Sequence, residues 1–223
     1  MMNDNFIKSL IPVVKDIMSC SAHNMEHVMR VYDLCRLLAA GEKDTDMEIL
    51  LVSALLHDIA RVEEDGDNTG MTDHAILGAE KAGKLLESLG YPEENIKGVK
   101  HCIITHRFRS SAKPKTIEAK ILFDADKLDV LGAVGLVRTY MMSGQYGQSL
   151  DFDFEKYSLK ENSDDNGRLK DMSRHSPFIE YECKYKKIPD KLYTDRAKEI
   201  AAERLAFMNN FFKRLKDELR GRA

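Results

Sequence analysis

The stretch ALLHDIARVEEDGD, residues 54–67, places a histidine and an aspartate at the end of an apolar run. The run begins at Leu50 and is interrupted only by Ser53 before it reaches His57 and Asp58. Burying an imidazole beside a carboxylate without partners loses the hydration of both groups. The rest of the chain must therefore supply groups that stabilise this pair.

Composition and charge are those of an ordinary globular protein. Of the 223 residues, 43% are apolar and 32% are charged, and the formal net charge is −3. This balance gives no general attraction to nucleic acids or to anionic membranes. No segment approaches the roughly 20 apolar residues of a membrane span, and the first residues lack the pattern of a secretory signal. The four cysteines form no CxxC pair, which is typical of a reducing compartment. We expect a cytoplasmic protein without nucleic-acid or membrane partners.

Apolar residues recur at three- and four-residue steps along most of the chain, which is typical of amphipathic helices. The pattern predicts helices over about 24–40, 46–60, 72–90, 93–106, 115–128, 130–142 and 194–219. Five prolines and 13 glycines are few for this length and favour long helices over a turn-rich β-structure. A polar segment at about 158–175 is expected to form a surface loop or lid. We predict an all-α fold in which residues 1–223 form a single domain, with a core at about 20–145 and a long C-terminal helix.

Four polar side chains lie on apolar faces of these predicted helices. His27 and Asp126 each lie four residues from an apolar residue of the same helix, and His57 and Asp58 continue the faces of the helix before them. A single inward-facing histidine is more often a hydrogen-bonded core residue than a metal ligand. Four inward-facing groups from three helices are harder to pair, and a divalent cation would bind them all and offset their desolvation.

These residues lie in segments that resemble the HD-domain superfamily of metal-dependent phosphohydrolases. Their order is similar to the H…HD…D signature of that superfamily. The similar segments are HNMEHVMRV (23–31), LLHDIAR (55–61) and ILFDADKLD (121–129). Asn24 stands where an aspartate is usual in the family.

The later part of the chain resembles the small bacterial subgroup of stand-alone HD hydrolases. The similar segments are LGAVGLVRTYMMSG (131–144) and YKKIPDKLYTDRAKEIAAERLAFMNNFF (185–212). The resemblance therefore covers roughly residues 20–215. It implies an HD-type helical bundle and a phosphohydrolase activity.

The resemblance also implies a metal centre with one or two divalent ions. The implied ligands are His27, His57, Asp58 and Asp126. Histidine and carboxylate ligands suit Mn²⁺, Fe²⁺, Co²⁺, Ni²⁺ or Zn²⁺ better than Ca²⁺. Such an ion lowers the pKa of its water to about 7 and polarises a phosphoryl oxygen. Asp58 would bridge two metals or accept the proton of the water, and the expected substrate is a small phosphorylated molecule such as a nucleotide.

Further histidines follow the HD pair. His74 and His106 stand in the order that dinuclear family members use, so they are expected either to bind a second metal or to contact phosphate near the pocket. His101 lies five residues before His106, about 140° away around a helix, and cannot share its face. We expect His101 to be structural, with a substrate contact as the weaker alternative. His23 is expected at the pocket rim or hydrogen-bonded to a ligand.

Basic residues near the motif are candidates for phosphate binding. Arg61 stands where the family carries a basic residue and would act in catalysis as a bidentate phosphate clamp, or else would form a salt bridge with Glu63 or Glu64. Arg107 and Arg109 are expected in a solvated loop, with a basic rim in which Phe108 would stack a base as the weaker alternative. Weaker candidates for substrate contact are Arg30, Lys127 and Arg138.

Two other functions are consistent with the same motifs. One is a di-iron oxygenase, because a few HD-fold proteins use six ligands for O₂ chemistry. The other is a non-catalytic nucleotide-binding sensor, although the intact ligand set argues against a degenerate site. An assay against phosphate esters and nucleotides with several metals distinguishes these functions.

Overall fold

The structure is a computed structural model that describes residues 4–18, 25–67, 69–108, 112–150, 158, 160–162 and 170–222. The predictions for His23 and Arg109 lie outside these residues, as does much of the predicted polar loop. The described part of that loop includes a short 3-10 turn at Met172–Arg174.

The described residues are helical and contain no strand, which confirms the predicted all-α class. The α-helices are α1 Asp4–Ile17, α2 Met25–Ala39, α3 Met47–Leu56, α4 Arg61–Gly66, α5 His74–Ser88, α6 Glu93–Thr105, α7 Ile117–Asp129, α8 Gly132–Gln145, α9 Pro177–Cys183 and α10 Asp195–Leu219. Each helix predicted from the apolar pattern overlaps one of these. None of the described helices has both the length and the hydropathy that a bilayer span requires.

The predicted helix at 46–60 is too long, because α3 ends at Leu56. Residues 57–60 form a turn, in which the N–H of Ile59 bonds the carbonyl of Leu56 and the N–H of Arg61 bonds that of Asp58. The turn is itself buried, so apolar residues continue through it and the sequence pattern does not mark the end of the helix.

The chain divides into two compact units. The first comprises Met1–Lys127 and Leu192–Ala197, and the second comprises Leu128–Lys191 and Lys198–Ala223. The single-domain assignment stays a prediction.

In the first unit, α3 is the central helix. Its residues from Leu50 to Leu56 are all buried, and it packs against α1, α2 and α6. Asp46 caps its first turn by accepting the N–H groups of Glu48 and Ile49 at 3.0 Å. The N–H of Asp46 in turn donates to Glu118 of α7 at 2.8 Å, so the start of α3 is tied to α7. These contacts hold the start of α3, and the HD pair lies in the turn directly after its end.

In the second unit, aromatic rings join α9 to α10. The ring centroid of Phe212 lies 4.8 Å from that of Tyr181 and 5.5 Å from that of Phe178. The start of α8 requires a glycine at position 135, because a Cβ there would lie 2.0 Å from the carbonyl oxygen of Val130. Each unit therefore has packing contacts of its own.

Candidate metal centre

The HD pair is buried in the turn that follows α3. His57 is fully buried and Asp58 is 6% exposed. The Nδ1 atom of His57 lies 2.8 Å from the carbonyl oxygen of Ala54, in the last turn of α3. A carbonyl oxygen only accepts, so Nδ1 carries the proton and Nε2 carries the lone pair.

We define a first cluster as His27, His57 and Asp58, in which one carboxylate oxygen of Asp58 faces the two histidines. The Nε2 atoms of the two histidines are 3.3 Å apart. They lie 3.6 and 3.7 Å from Asp58 Oδ2. Asp126 joins this group, because its Oδ1 lies 3.4 Å from His27 Nε2. The helices α2 and α7 and the turn after α3 thus bring together the four residues of the H…HD…D motif.

We define a second cluster as Asp58, His74 and His106, in which the other carboxylate oxygen of Asp58 faces the two histidines. The Nε2 atoms of His74 and His106 are also 3.3 Å apart. Each lies 3.6 Å from Asp58 Oδ1. The two clusters therefore share one carboxylate, with one oxygen directed to each pair of histidines.

The donor chemistry of both clusters fits a divalent cation. Nδ1 of His106 lies 2.6 Å from the carbonyl oxygen of Ile103, so its Nε2 carries a lone pair, as in His57. In each cluster two imidazole nitrogens face each other at 3.3 Å beside a carboxylate oxygen. In the second cluster both Nδ1 atoms have an oxygen acceptor, so the two Nε2 lone pairs face and repel each other, and a cation between them would remove that repulsion. Histidine nitrogen with carboxylate oxygen is a ligand set for transition metals.

Protonation states in the clusters favour cation binding. Burial lowers the pKa of His57 to about 4 and also lowers the pKa of His74, so both rings are neutral at pH 7. Burial opposes the ionisation of Asp58 and Asp126, but the neighbouring histidines, once they are protonated in acid, and Lys127 beside Asp126 outweigh it. The pKa values of both carboxyl groups therefore lie well below their usual range.

A further carboxylate, that of Glu64, lies behind the second cluster. Its Oε2 is 2.7 Å from Nδ1 of His74 and 2.8 Å from Nη1 of Arg61. Its Oε1 is 3.2 Å from Nη2 of Arg107. Burial opposes the ionisation of Glu64, but the hydrogen bond from His74 and the two guanidinium charges lower its pKa to about 2.

The sequence did not single out Glu64 except as a salt-bridge partner of Arg61. That partner is present in the structure, whereas Glu63 pairs with Lys81. Arg107 is not merely a solvated loop residue, because it pairs with Glu64 and also with Asp73 at 2.6 Å.

The weaker candidates for substrate contact lie in different surroundings. Lys127 pairs with Asp126 beside the first cluster, and Arg30 is half-buried on α2. His101 accepts the backbone N–H of Lys115 at 3.0 Å, which gives it a structural contact. Arg138 belongs to the second unit, where it pairs with Asp129.

The matches to known proteins decide the family. Residues 24–131 match the HD domain family. The chain is 31% identical over 205 residues to the protein YpgQ of Bacillus subtilis strain 168, and the aligned region covers 90% of this chain and 86% of YpgQ. The chain belongs to the HD-domain superfamily.

Solved structures agree with this assignment. An HD-superfamily hydrolase from Bacillus thuringiensis superposes with a TM-score of 0.69 at 27% identity, over 97% of each chain. The crystal structure of Bacillus subtilis YpgQ in complex with ADP superposes with a TM-score of 0.71 at 25% identity, over 96% of this chain and 95% of YpgQ. The predicted family and the HD-type helical fold are thus confirmed, and the chain has the fold of HD-superfamily hydrolases.

Proposed function

We propose that this protein is a metal-dependent phosphohydrolase that cleaves a phosphoester or phosphoanhydride bond of a nucleotide. The observation that carries the proposal is the shared carboxylate of Asp58. Each of its oxygens faces a separate pair of histidine nitrogens at 3.6–3.7 Å. Two sites that share a bridging carboxylate suit the cleavage of phosphate esters and anhydrides.

The centre would hold two divalent ions, one in each cluster. The ligands of one ion would be His27, His57, Asp58 and Asp126, and those of the other would be Asp58, His74 and His106. When bound, such ions polarise a phosphoryl oxygen and provide an activated water as the nucleophile. The ligand types favour Mn²⁺, Fe²⁺, Co²⁺, Ni²⁺ or Zn²⁺.

The protein's own side chains prepare this chemistry. The neutral His57 presents a lone pair, and the ionised Asp58 supplies negative charge on both sides. The cluster side chains are almost inaccessible to solvent, with side-chain exposures of 0% for His57, 3% for His106 and 5% for His74. Electrostatic interactions are stronger in such surroundings than in water. Arg61 lies next to the second cluster, 3.1 Å from Nδ1 of His74, and would bind a substrate phosphate.

The nucleotide assignment is supported by a relative. The YpgQ structure contains ADP, and this chain shares the fold of YpgQ over nearly its whole length. A nucleoside phosphate combines the anhydride bond and the negative charge that two adjacent cations would recognise.

The testing experiment is a metal and substrate panel. The protein, freed of metal by chelation, is supplied with each of the five metal ions and assayed for release of phosphate or pyrophosphate from nucleotides and simple phosphate esters. We expect turnover with Mn²⁺, Co²⁺ or Ni²⁺ that is lost on chelation and in Asp58→Asn, without a covalent phosphoenzyme. Trapping a phosphorylated residue would contradict the mechanism.

Two other outcomes would replace the proposal with another function. Nucleotide binding without turnover under every metal would identify a sensor. O₂ consumption by the Fe²⁺-loaded protein would identify a di-iron oxygenase, for which the four histidines and Asp58 of the two clusters, together with Asp126, would be the ligands.

A further inference from the structure

The histidines of the two clusters reach their hydrogen-bond acceptors in two different ways. His57 and His106 directly follow the last turns of α3 and α6. Their Nδ1 atoms lie 2.8 and 2.6 Å from the carbonyl oxygens of Ala54 and Ile103. Because the last four carbonyls of a helix have no intrahelical N–H partner, the end of each helix itself supplies the acceptor.

His74 lies at the opposite end of its helix. It is the first residue of α5, directly after the cap Asp73. The backbone groups without intrahelical partners at a helix start are N–H donors, which cannot accept the proton of an imidazole. The acceptor must therefore come from another element, and Glu64 of α4 supplies it with Oε2 at 2.7 Å from Nδ1.

The carboxylate of Glu64 is itself held in place. The Glu64 side chain is only 10% exposed, and its two oxygens lie against Arg61 and Arg107 at 2.8 and 3.2 Å. Arg107 also pairs with the cap residue Asp73 at 2.6 Å. The same guanidinium thus links Glu64 to the start of α5, which fixes the carboxylate relative to the His74 ring.

We propose that Glu64 is the positioning residue of the second cluster. Nδ1 of His74 lies closer to Glu64, at 2.7 Å, than to the donor Nη1 of Arg61, at 3.1 Å, so it donates its proton to the carboxylate. Glu64 thereby fixes the tautomer of the ring and keeps the Nε2 lone pair on the side of Asp58. The inference rests on the proposed function, because this orientation matters for activity when His74 binds an ion.

A carboxylate has a stronger effect than the carbonyl acceptors of His57 and His106. Its negative charge raises the basicity of the imidazole, and loss of such an outer partner typically weakens metal binding by about 10- to 100-fold. The second cluster has Asp58 as its one ligand carboxylate, whereas Asp126 also joins the first. Glu64 therefore adds negative charge to the cluster with fewer ligand carboxylates.

The first arm of the test measures the tautomer of His74 in metal-free protein by ¹⁵N NMR of the imidazole ring. We compare Glu64→Ala, which removes the acceptor, with Glu64→Gln, which keeps an acceptor oxygen without the charge. The matched control is Glu63→Gln, on the same helix but paired with Lys81. We expect Nδ1–H in the wild type, the control and Glu64→Gln, and loss of that preference in Glu64→Ala.

The second arm titrates the same proteins with Mn²⁺ and follows the affinity of each ion. We expect the second ion to bind about 10- to 100-fold more weakly in Glu64→Ala than in the wild type. The loss of affinity should be smaller in Glu64→Gln, and the affinity for the first ion should not change in either variant. If Glu64→Ala does not fold, Glu64→Leu, which keeps apolar bulk but offers no acceptor, replaces it, and an unchanged His74 tautomer there overturns the proposal.

The two arms separate this proposal from the proposed function. An unchanged His74 tautomer in folded Glu64→Ala overturns the role of Glu64, whatever the number of ions. A wild type that binds one ion overturns the two-ion centre, while the tautomer still decides whether Glu64 positions His74.

Discussion

The two clusters share Asp58 but place their other carboxylate differently. Beside the first cluster, Asp126 lies on the Nε2 side of a ring, with Oδ1 3.4 Å from Nε2 of His27. In the second cluster Glu64 stands behind His74 and acts through the ring. Because attraction between charges weakens with distance, a carboxylate in direct contact holds a cation more strongly than one behind an imidazole. We therefore expect a tight first ion and a more weakly bound second ion.

The largest expected effect comes from removing the shared group. Asp58→Asn keeps the size of the side chain but removes the charge from both clusters, so both ions should be lost. Since the ions contribute several kcal/mol to transition-state stabilisation, turnover should fall by about three orders of magnitude. Metal analysis and steady-state kinetics measure both effects, with Glu63→Gln as the control. Retention of wild-type metal content would place the metal site elsewhere.

A smaller effect is expected when only the first cluster is broken. His57→Ala removes one nitrogen ligand from the first cluster and leaves His74, His106 and Asp58 in place. Metal analysis should show loss of the tighter ion, with at most one ion remaining. A full metal complement in both His57→Ala and Asp58→Ala would refute the assignment of the ligands.

Arg61 tests whether the second cluster is also where the substrate phosphate binds. If Arg61 is a phosphate clamp, Arg61→Ala should raise KM by roughly 10- to 100-fold, as expected for one charged hydrogen bond, with a smaller change in kcat. An unchanged KM would favour the salt bridge with Glu64 as its only role. Initial-rate kinetics over a range of substrate concentrations distinguish the two roles.

The smallest effect on metal binding is expected at a histidine–carboxylate pair outside both clusters. In the second unit, His175 Nε2 and Lys184 Nζ lie 2.9 and 2.8 Å from the carboxylate of Glu180. Burial opposes its ionisation, but Lys184 and His175 outweigh burial and lower the pKa of Glu180 well below its usual range. Its stabilising contribution is therefore present above the unfolded pKa of about 4.3 and is lost as the pH falls toward the folded pKa.

Glu180→Gln should accordingly lower the free energy of unfolding at pH 7 by roughly 1 to 3 kcal/mol, while the metal content stays unchanged. The difference from wild type should shrink as the pH falls below about 4. Denaturant unfolding at several pH values measures this, and a constant difference across the acid range would contradict the assigned pKa direction.

The sequence predicted the helices that have a regular apolar spacing and the site residues that belong to a family motif. The main helices followed from apolar spacing, and the His27, His57, Asp58 and Asp126 set followed from motif order. Glu64 could not be assigned its role, because Glu63, Glu64 and Asp65 are consecutive acidic residues, and only the turn of α4 selects which one reaches His74.

Three α-helices escaped prediction: α1, α4 and α9. The six residues of α4 are too few for a period to emerge. In α1 the buried residues Ile7, Leu10 and Val14 have helical spacing and were an available signal. The seven residues of α9 are too few for a period to emerge, and its helix depends on Ser176, whose hydroxyl caps the N–H of Ile179 at 3.2 Å.

The central claim is that Asp58 lies between two ion sites, and counting bound ions tests it most directly. Metal-free protein is titrated with Mn²⁺ and the ions bound per chain are counted at equilibrium with free ion, alongside the double variant His74→Ala/His106→Ala. The account predicts two ions in the wild type and one in the double variant. One ion in both proteins would contradict it and leave His74 and His106 as substrate contacts or structural residues.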